Sequence, residues 1–158
     1  MQVKLDPSAM PKISGAKVAI LQAKWYREHI DKMVQKTVDL LVAADCPKPQ
    51  VHILPGSLEL PLAAQALMRK EHYDAIICFG AIMKGETFHF EMIVDGCIRG
   101  LMDVMLAEDI PIVVEVIPAQ NVAQLVARSG KDNFNKGIEA ALAAAEMIHW
   151  RRAHQSLV

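Results

Sequence analysis

Apolar and polar positions along this chain follow two periods in turn, and the switches between them divide it into strands and helices. Lys17–Gln22 is a short apolar run that reads as a first strand. Ile30, Met33, Val34, Thr37, Val38 and Leu41 then recur at helical spacing, and Cys46-Pro47-Lys48-Pro49 closes that helix. Gln50–Leu54 is a second strand, stopped by Pro55-Gly56. A second helix runs from about Pro61 to Lys70. Ala75–Phe79, bounded by Asp74 and Gly80, is a third strand. Phe90, Ile93, Val94, Cys97, Leu101 and Val104 then mark a third helix. Pro111–Ile117 is a fourth strand. A short helix over about Asn121–Arg128, a polar loop Ser129–Asn135 and a final helix with Ile138, Ala141, Leu142, Ala145 and Ile148 on one face complete the series.

Strands alternating with helices predict an α/β fold, a three-layer αβα sandwich around a four-stranded parallel sheet. Parallel strands covered on both faces should be apolar without alternation, and these are. Open sheets of this kind bind ligands at the carboxyl ends of their strands. Pro61 disfavours the helical region for Leu60, so Gly56–Leu60 is expected to be loop with free backbone groups.

The chain's 158 residues fit one domain. Residues 17–158 are expected to form it, behind an N-terminal extension over 1–16. That extension holds Pro7 and Pro11 and lacks the apolar centre of a secretory signal. Apolar residues at 53% against 22% charged exclude disorder as the default. A net charge of −1 gives no global field for nucleic acid or a membrane surface, so any anion site is local. Cys46, Cys78 and Cys97 are widely spaced and form no C-x-x-C pair, which argues against disulfides and structural metal. Buried thiols in a reducing compartment, the cytoplasm, are the expectation.

The chemistry concentrates in Lys84-Gly85-Glu86-Thr87-Phe88-His89-Phe90-Glu91, where the third strand gives way to the third helix. A helix start offers unpaired N–H groups and a positive dipole end, which suit an anion. Lys84 adds charge, Thr87 a hydroxyl, and His89 a group that moves protons near neutral pH. Trp25, just after the first strand, offers a stacking face for a flat heteroaromatic ring. Ser57 and Glu59 offer polar contacts after the second strand. Arg128 can hold phosphate through two parallel hydrogen bonds. Each has a plainer reading: Trp25 as packing, Ser57 and Glu59 as helix-start residues, Gly85-Glu86-Thr87 as an ordinary loop, Arg128 and Lys136 as surface groups. His29, His52, His72, His149 and His154 have no comparable setting and read as structural or surface groups.

Taken in order, Trp25, Gly56-Ser57-Leu58-Glu59-Leu60-Pro61, the Lys84–Glu91 run, and Arg128 with Asn135-Lys136-Gly137 resemble the motifs of the lumazine synthase family. Matching pieces run from about Lys17 to Met147. The resemblance implies a flavodoxin-like sheet. It also implies condensation of 5-amino-6-(D-ribitylamino)uracil with 3,4-dihydroxy-2-butanone 4-phosphate in riboflavin biosynthesis, with no metal or organic cofactor. It gives His89 the proton transfers. Trp25, Ser57, Leu58, Glu59, Ala81, Ile82, Met83 and Val114 would hold the pyrimidine and its ribityl chain. Lys84, Gly85, Glu86, Thr87, Arg128 and Lys136 would hold the phosphate, the last two from the neighbouring subunit of a pentamer.

Higher assemblies of the family are decamers or hollow shells of pentamers, and Pro11 with Lys131-Asp132-Asn133-Phe134 favours the free pentamer. Three positions depart from the family pattern. Leu58 and Val114 stand where aromatics are usual, and Glu115 stands where Gly is usual. The first two keep a non-catalytic flavin or lumazine carrier on the same scaffold in view. A flavodoxin-like electron carrier fits the fold alone but leaves His89 and Arg128 without a role.

Overall fold

The computed structural model describes residues 4–155, so the first three residues of the expected extension and the last three of the expected domain lie outside the described residues. The elements are β1 (Val18–Ala23), α1 (Arg27–Ala43), β2 (Gln50–Leu54), α2 (Leu60–Lys70), β3 (Ala75–Met83), α3 (His89–Glu108), β4 (Ile112–Ala119), α4 (Val122–Ser129) and α5 (Lys136–His154). Short 3-10 turns at Pro7–Ala9 and Ser57–Glu59 complete them. All strand pairs are parallel, in the order β2-β1-β3-β4. This is the flavodoxin-like, doubly wound order. One core joins the sheet to α1, α4 and α5 through residues such as Ile30, Met33, Leu125 and Ala141. The other joins it to α2 and α3 through Leu60, Ala64, Cys97 and Leu101. Among the described residues no helix is long and apolar enough to cross a membrane.

Four boundaries and environments differ from the sequence expectation. β1 is buried throughout and β3 nearly so, but β2 is an edge strand whose Val51 and Ile53 are 39% and 44% exposed. It has one strand neighbour, and the helix layers stop short of its outer side chains. β3 runs past Phe79 to Met83 because Gly80 through Met83 stay in register with Val116 through Ala119 of β4. Gly80 therefore interrupts nothing: a side chain there would come within 2.8 Å of the Ser57 hydroxyl, so glycine is what lets Ser57 sit against the strand.

The third difference concerns Leu60. It takes helical angles (φ −58°, ψ −45°) although Pro61 follows it, and the expected loop before it is the tight Ser57–Glu59 turn. Two things outweigh the steric preference. A proline in the first helical turn forfeits an N–H that would have had no partner anyway. The Leu60 side chain is also fully buried in the second core. Gly100 of α3 makes room for the proline, since a Cβ there would lie 2.9 Å from Pro61 Cγ. The fourth is α5, longer at both ends than its apolar stripe suggested. The Asn135 side chain accepts from the Gly137 N–H (2.8 Å) and caps its start.

The crossing of α1 and α5 is set at Gly137. A Cβ on this residue would stand 2.1 Å from the Met33 carbonyl oxygen of α1. At the same place the buried Thr37 hydroxyl donates across to the Gly137 carbonyl at 2.9 Å and contacts the Met33 carbonyl at 3.0 Å. Gly137→Ala should force α5 off α1 and lower unfolding stability by roughly 2–3 kcal/mol, the scale of an overpacked core. Urea denaturation checks this, and an unchanged midpoint would contradict the tight crossing.

Candidate active site

Three chain turns meet at the carboxyl edge of the sheet. After β1 the chain passes Lys24 and Trp25 to Tyr26, whose backbone is left-handed (φ 57°, ψ 39°), before α1 begins. That conformation is uncommon for a non-glycine residue and swings the chain sharply away from the sheet. The Lys24 N–H donates to the Leu54 carbonyl (3.0 Å), tying the end of β1 to the end of β2. After β2, Pro55-Gly56 and the Ser57–Glu59 turn fold back over the sheet. Gly56 is needed for close approach, because a Cβ there would meet Glu59 Oε2 at 3.0 Å and Trp25 Nε1 at 3.8 Å.

These turns enclose a cleft of about 530 Å³ lined by Trp25, Tyr26, Pro55, Gly56, Ser57, Leu58, Glu59, Ala81, Ile82, Met83 and Ile93. It is mostly apolar, with the Trp25 ring 59% exposed at its mouth and the Lys24 ammonium 5.0 Å from that ring's centroid. Leu58 reaches towards α3, its Cδ2 lying 3.6 Å from where a Cβ on Gly96 would be. β1 pairs with β3 only as far as Phe79, so beyond that point β4 is the one strand neighbour of β3. Ala81, Ile82 and Met83 therefore present apolar side chains and a backbone edge on the cleft side.

Beyond Met83 the chain leaves the sheet through Lys84 and Gly85, and α3 starts at His89. Lys84 is anchored by its N–H to the Ala119 carbonyl (2.8 Å). Its ammonium pairs with Glu91 (3.0 Å) and lies 5.6 Å from the Phe90 ring centroid. That hydrogen bond holds the exposed Glu91 carboxyl below the usual range. Thr87 Oγ1 accepts from the His89 N–H at 3.4 Å, and no side chain of the cap residue Phe88 closes the helix start. The N–H groups of Gly85, Glu86 and Thr87 have no partner among the described residues. An exposed row of free amides thus leads into the positive end of a long helix, beside an exposed imidazole.

The remaining candidates stand elsewhere on the chain. Val114 lines a separate apolar groove of about 530 Å³ along the outer edge of β4, with Met105, Leu106, Ile110 and Met147. Arg128, half-buried at the end of α4, donates to the Gln124 carbonyl of its own helix (2.9 Å). Lys136 opens α5 and pairs with Glu139. None of these three lines the cleft of its own chain. The structure also adds residues that sequence reasoning did not nominate singly. Tyr26 and Ile93 line the cleft, and Glu139 engages Lys136. Tyr26 was legible as the neighbour of Trp25 at a strand end, and Glu139 as the residue one turn beyond Lys136; Ile93 sat on a helical stripe that looked like core.

Glu115 is the least expected charge. It is 7% exposed in the middle of β4, opposite the fully buried Phe79. Burial pushes its carboxyl up to about 8, the nearby Glu139 adds to this, and Lys136 opposes it. The thiols are shifted by the same physics. Burial raises Cys46 and Cys97 to about 11 and Cys78 further, and all three are free and buried. The expectation for Cys78 and Cys97 thus holds.

Fold and site together define a class: a parallel α/β enzyme with an apolar cleft and an open, uncapped helix start on one sheet edge. Residues 15–152 match the family model described as 6,7-dimethyl-8-ribityllumazine synthase. The chain is 34% identical over 140 residues to the 6,7-dimethyl-8-ribityllumazine synthase of Desulfotalea psychrophila, covering 87% of this chain and 90% of that protein. It is 30% identical over 149 residues to the enzyme of the same name from Flavobacterium johnsoniae, covering 93% and 78% respectively. The chain belongs to the 6,7-dimethyl-8-ribityllumazine synthase family.

The Glu115 environment yields a stability prediction. Its folded-state pKa, about 8, lies above the ordinary 4.5. Its contribution is therefore fully present below about 4.5 and is lost as the pH rises through about 8. Denaturation of wild type and Glu115→Gln should show the wild type losing on the order of 2–4 kcal/mol relative to the variant between about pH 5 and about pH 9. Parallel pH profiles would contradict the buried placement.

Proposed function

We propose that this chain joins 5-amino-6-(D-ribitylamino)uracil to 3,4-dihydroxy-2-butanone 4-phosphate, forming 6,7-dimethyl-8-ribityllumazine and releasing phosphate and water. The observation that carries this reading is the placement of an apolar, tryptophan-edged cleft beside a row of free amides and an imidazole, on one sheet edge of a chain of this family. A flat ring with a polyol tail suits the cleft, and a phosphoester suits the helix start.

In this reading the uracil stacks on Trp25, its edge meets the backbone of Ala81, Ile82 and Met83, and Ser57, Leu58 and Glu59 line the ribityl chain. The phosphate sits on the N–H groups of Gly85, Glu86 and Thr87. The Glu86 carboxylate turns to solvent, and Lys84 exchanges its bond to Glu91 for the anion. The substrate amine attacks the ketone, and loss of water gives an imine. A proton then leaves the adjacent carbon, phosphate departs, and the second amine closes the ring with loss of a further water. His89 takes up and returns the protons at these steps. No electrons are exchanged overall. Holding two substrates in register supplies most of the acceleration.

Arg128 and Lys136 reach the phosphate, and Val114 the pyrimidine, from the adjacent copy in a pentamer. Two features support the ring. These residues lie away from their own cleft. The apolar stripe Ile98, Met102 and Leu106 on α3 stays exposed in the single chain, Leu106 at 72%, beside the groove that holds Val114. The pentamer is free rather than part of a shell, and residues 17–158 act as one functional domain. The cytoplasm is the compartment that suits three free, buried cysteines.

A turnover assay with both substrates, following lumazine absorbance, tests the activity; a folded, pentameric preparation that forms no lumazine would refute it. His89→Ala should lower kcat about 10- to 100-fold with the circular dichroism spectrum unchanged. An unaltered rate would remove the imidazole from the mechanism. Arg128→Ala should raise the Michaelis constant for the phosphate substrate by about tenfold or more and leave that for the uracil nearly constant. Selective weakening of the uracil would reassign this arginine.

A further inference from the structure

Lys24 stands where β1 opens into the cleft, and its side chain has one partner. Its backbone N–H donates to the Leu54 carbonyl (3.0 Å), which fixes the root of the side chain at the joined ends of β1 and β2. The ammonium lies over the Trp25 ring, 5.0 Å from its centroid. Among the described residues it meets no carboxylate and no other acceptor. The indole is equally short of partners. It is exposed, and its N–H meets no acceptor among the described residues. A ring so lightly held would turn about its side-chain torsions, and a stacking platform that turns must be ordered again each time a ligand binds.

Local backbone geometry builds the contact. In an extended strand, neighbouring side chains point to opposite faces. Here the chain bends at Lys24 and turns at Trp25 and Tyr26, and the two side chains come together. The contact also has a direction. Trp25 lines the cleft, with Gly56 at its edge, where a Cβ would stand 3.8 Å from the indole Nε1; Lys24 does not line it. The ammonium therefore backs the ring from outside, and the cleft keeps the other face for a ligand. The electron density above the face of the indole is what draws the cation.

We propose that Lys24 is a positioning residue for the cleft: its ammonium, set behind the Trp25 ring, holds the indole in the orientation that receives a flat heteroaromatic ring on the opposite face. This rests on the assignment of Trp25 to pyrimidine stacking. Lys24 touches no reacting atom. Its charge is the operative feature, because an uncharged stem of similar length packs on an indole without being drawn to its face. Its effect is on affinity for the pyrimidine. Neither the phosphoester nor the chemical step depends on it.

Trp150→Phe, at a residue that does not line the cleft, leaves Trp25 as the chain's one tryptophan. In that background, time-resolved fluorescence anisotropy of the intact assembly reads the motion of the Trp25 ring without requiring turnover. Lys24→Met should widen the ring's fast rotation, and Lys24→Arg, which keeps a cation over the indole, should restore the wild-type decay. Calorimetric titration with 5-amino-6-(D-ribitylamino)uracil alone should give a dissociation constant about two- to fivefold higher in Lys24→Met and in Lys24→Gln, and close to wild type in Lys24→Arg. In turnover, the Michaelis constant for the uracil should rise by the same factor, with kcat and the constant for the phosphate substrate unchanged. Once Trp25→Leu is in place, adding Lys24→Met should alter nothing further. Ring motion indifferent to Lys24→Met would overturn the proposal, as would a Lys24→Met effect on uracil binding that survives Trp25→Leu. Absent lumazine formation with the Lys24-dependent ring motion intact would sink the activity reading and leave this one standing. Normal turnover with ring motion and uracil affinity indifferent to Lys24 would do the reverse.

Discussion

The parallel pairing of β1 with β3 is the constraint from which the rest of the architecture follows. From Val18 against Ala75 to Gln22 against Phe79, nearly every side chain on both faces of these strands is removed from water. Two parallel strands buried in this way require helices above and below, and every connection between them must cross the sheet. The chain can turn only at the sheet's two edges. Loops that carry polar and aromatic side chains therefore collect where the strands end. Even the buried amide of Gln22, at the carboxyl half of β1, is used there: its Nε2 donates to Asp31 at 2.6 Å and ties β1 to the first turns of α1.

Close packing then sets how exact the site edge can be. Glycine appears where backbone or a neighbouring side chain comes too near for a Cβ: Gly137 under the Met33 carbonyl, Gly100 against Pro61, Gly80 against Ser57, Gly56 against Glu59 and Trp25. The last of these lines the cleft, as does the Ser57 that Gly80 accommodates. Gly85 is different, since a Cβ there would meet nothing within 4 Å. Its value lies in an open, unobstructed backbone among three amides that no other group in the described chain uses. Glycines required by packing and the one in the proposed anion site can thus be separated by what surrounds them.

Charge is distributed with the same division. Most ion pairs, such as Arg27–Asp31 and Arg99–Asp95, lie at the surface and contribute little to stability. In the proposed function the Lys84–Glu91 and Lys136–Glu139 pairs each hold an ammonium that the anion would claim. Glu115 is the exception, a carboxyl in β4 that burial pushes up to about 8.

The order and kind of the elements were legible in the sequence, because strand and helix periods are local and each burial stripe spans only a few turns. So was the gathering of Trp25, Ser57, Leu58, Glu59, Ala81, Ile82 and Met83, since parallel topology sends all strand ends to one edge. What only the tertiary structure decided depends on partners distant in sequence. Leu60 became helical because its side chain fills a core, against the preference imposed by Pro61. β3 continued through Gly80 because β4 pairs with it. β2 became exposed because it lies at an edge, which no period within its own five residues could reveal. Glu115 read as a mere departure from pattern until β4 buried it opposite Phe79. Proximity across a fold is not written in any local stretch of chain, and burial, which moves a carboxyl's titration, is a property of everything packed around it.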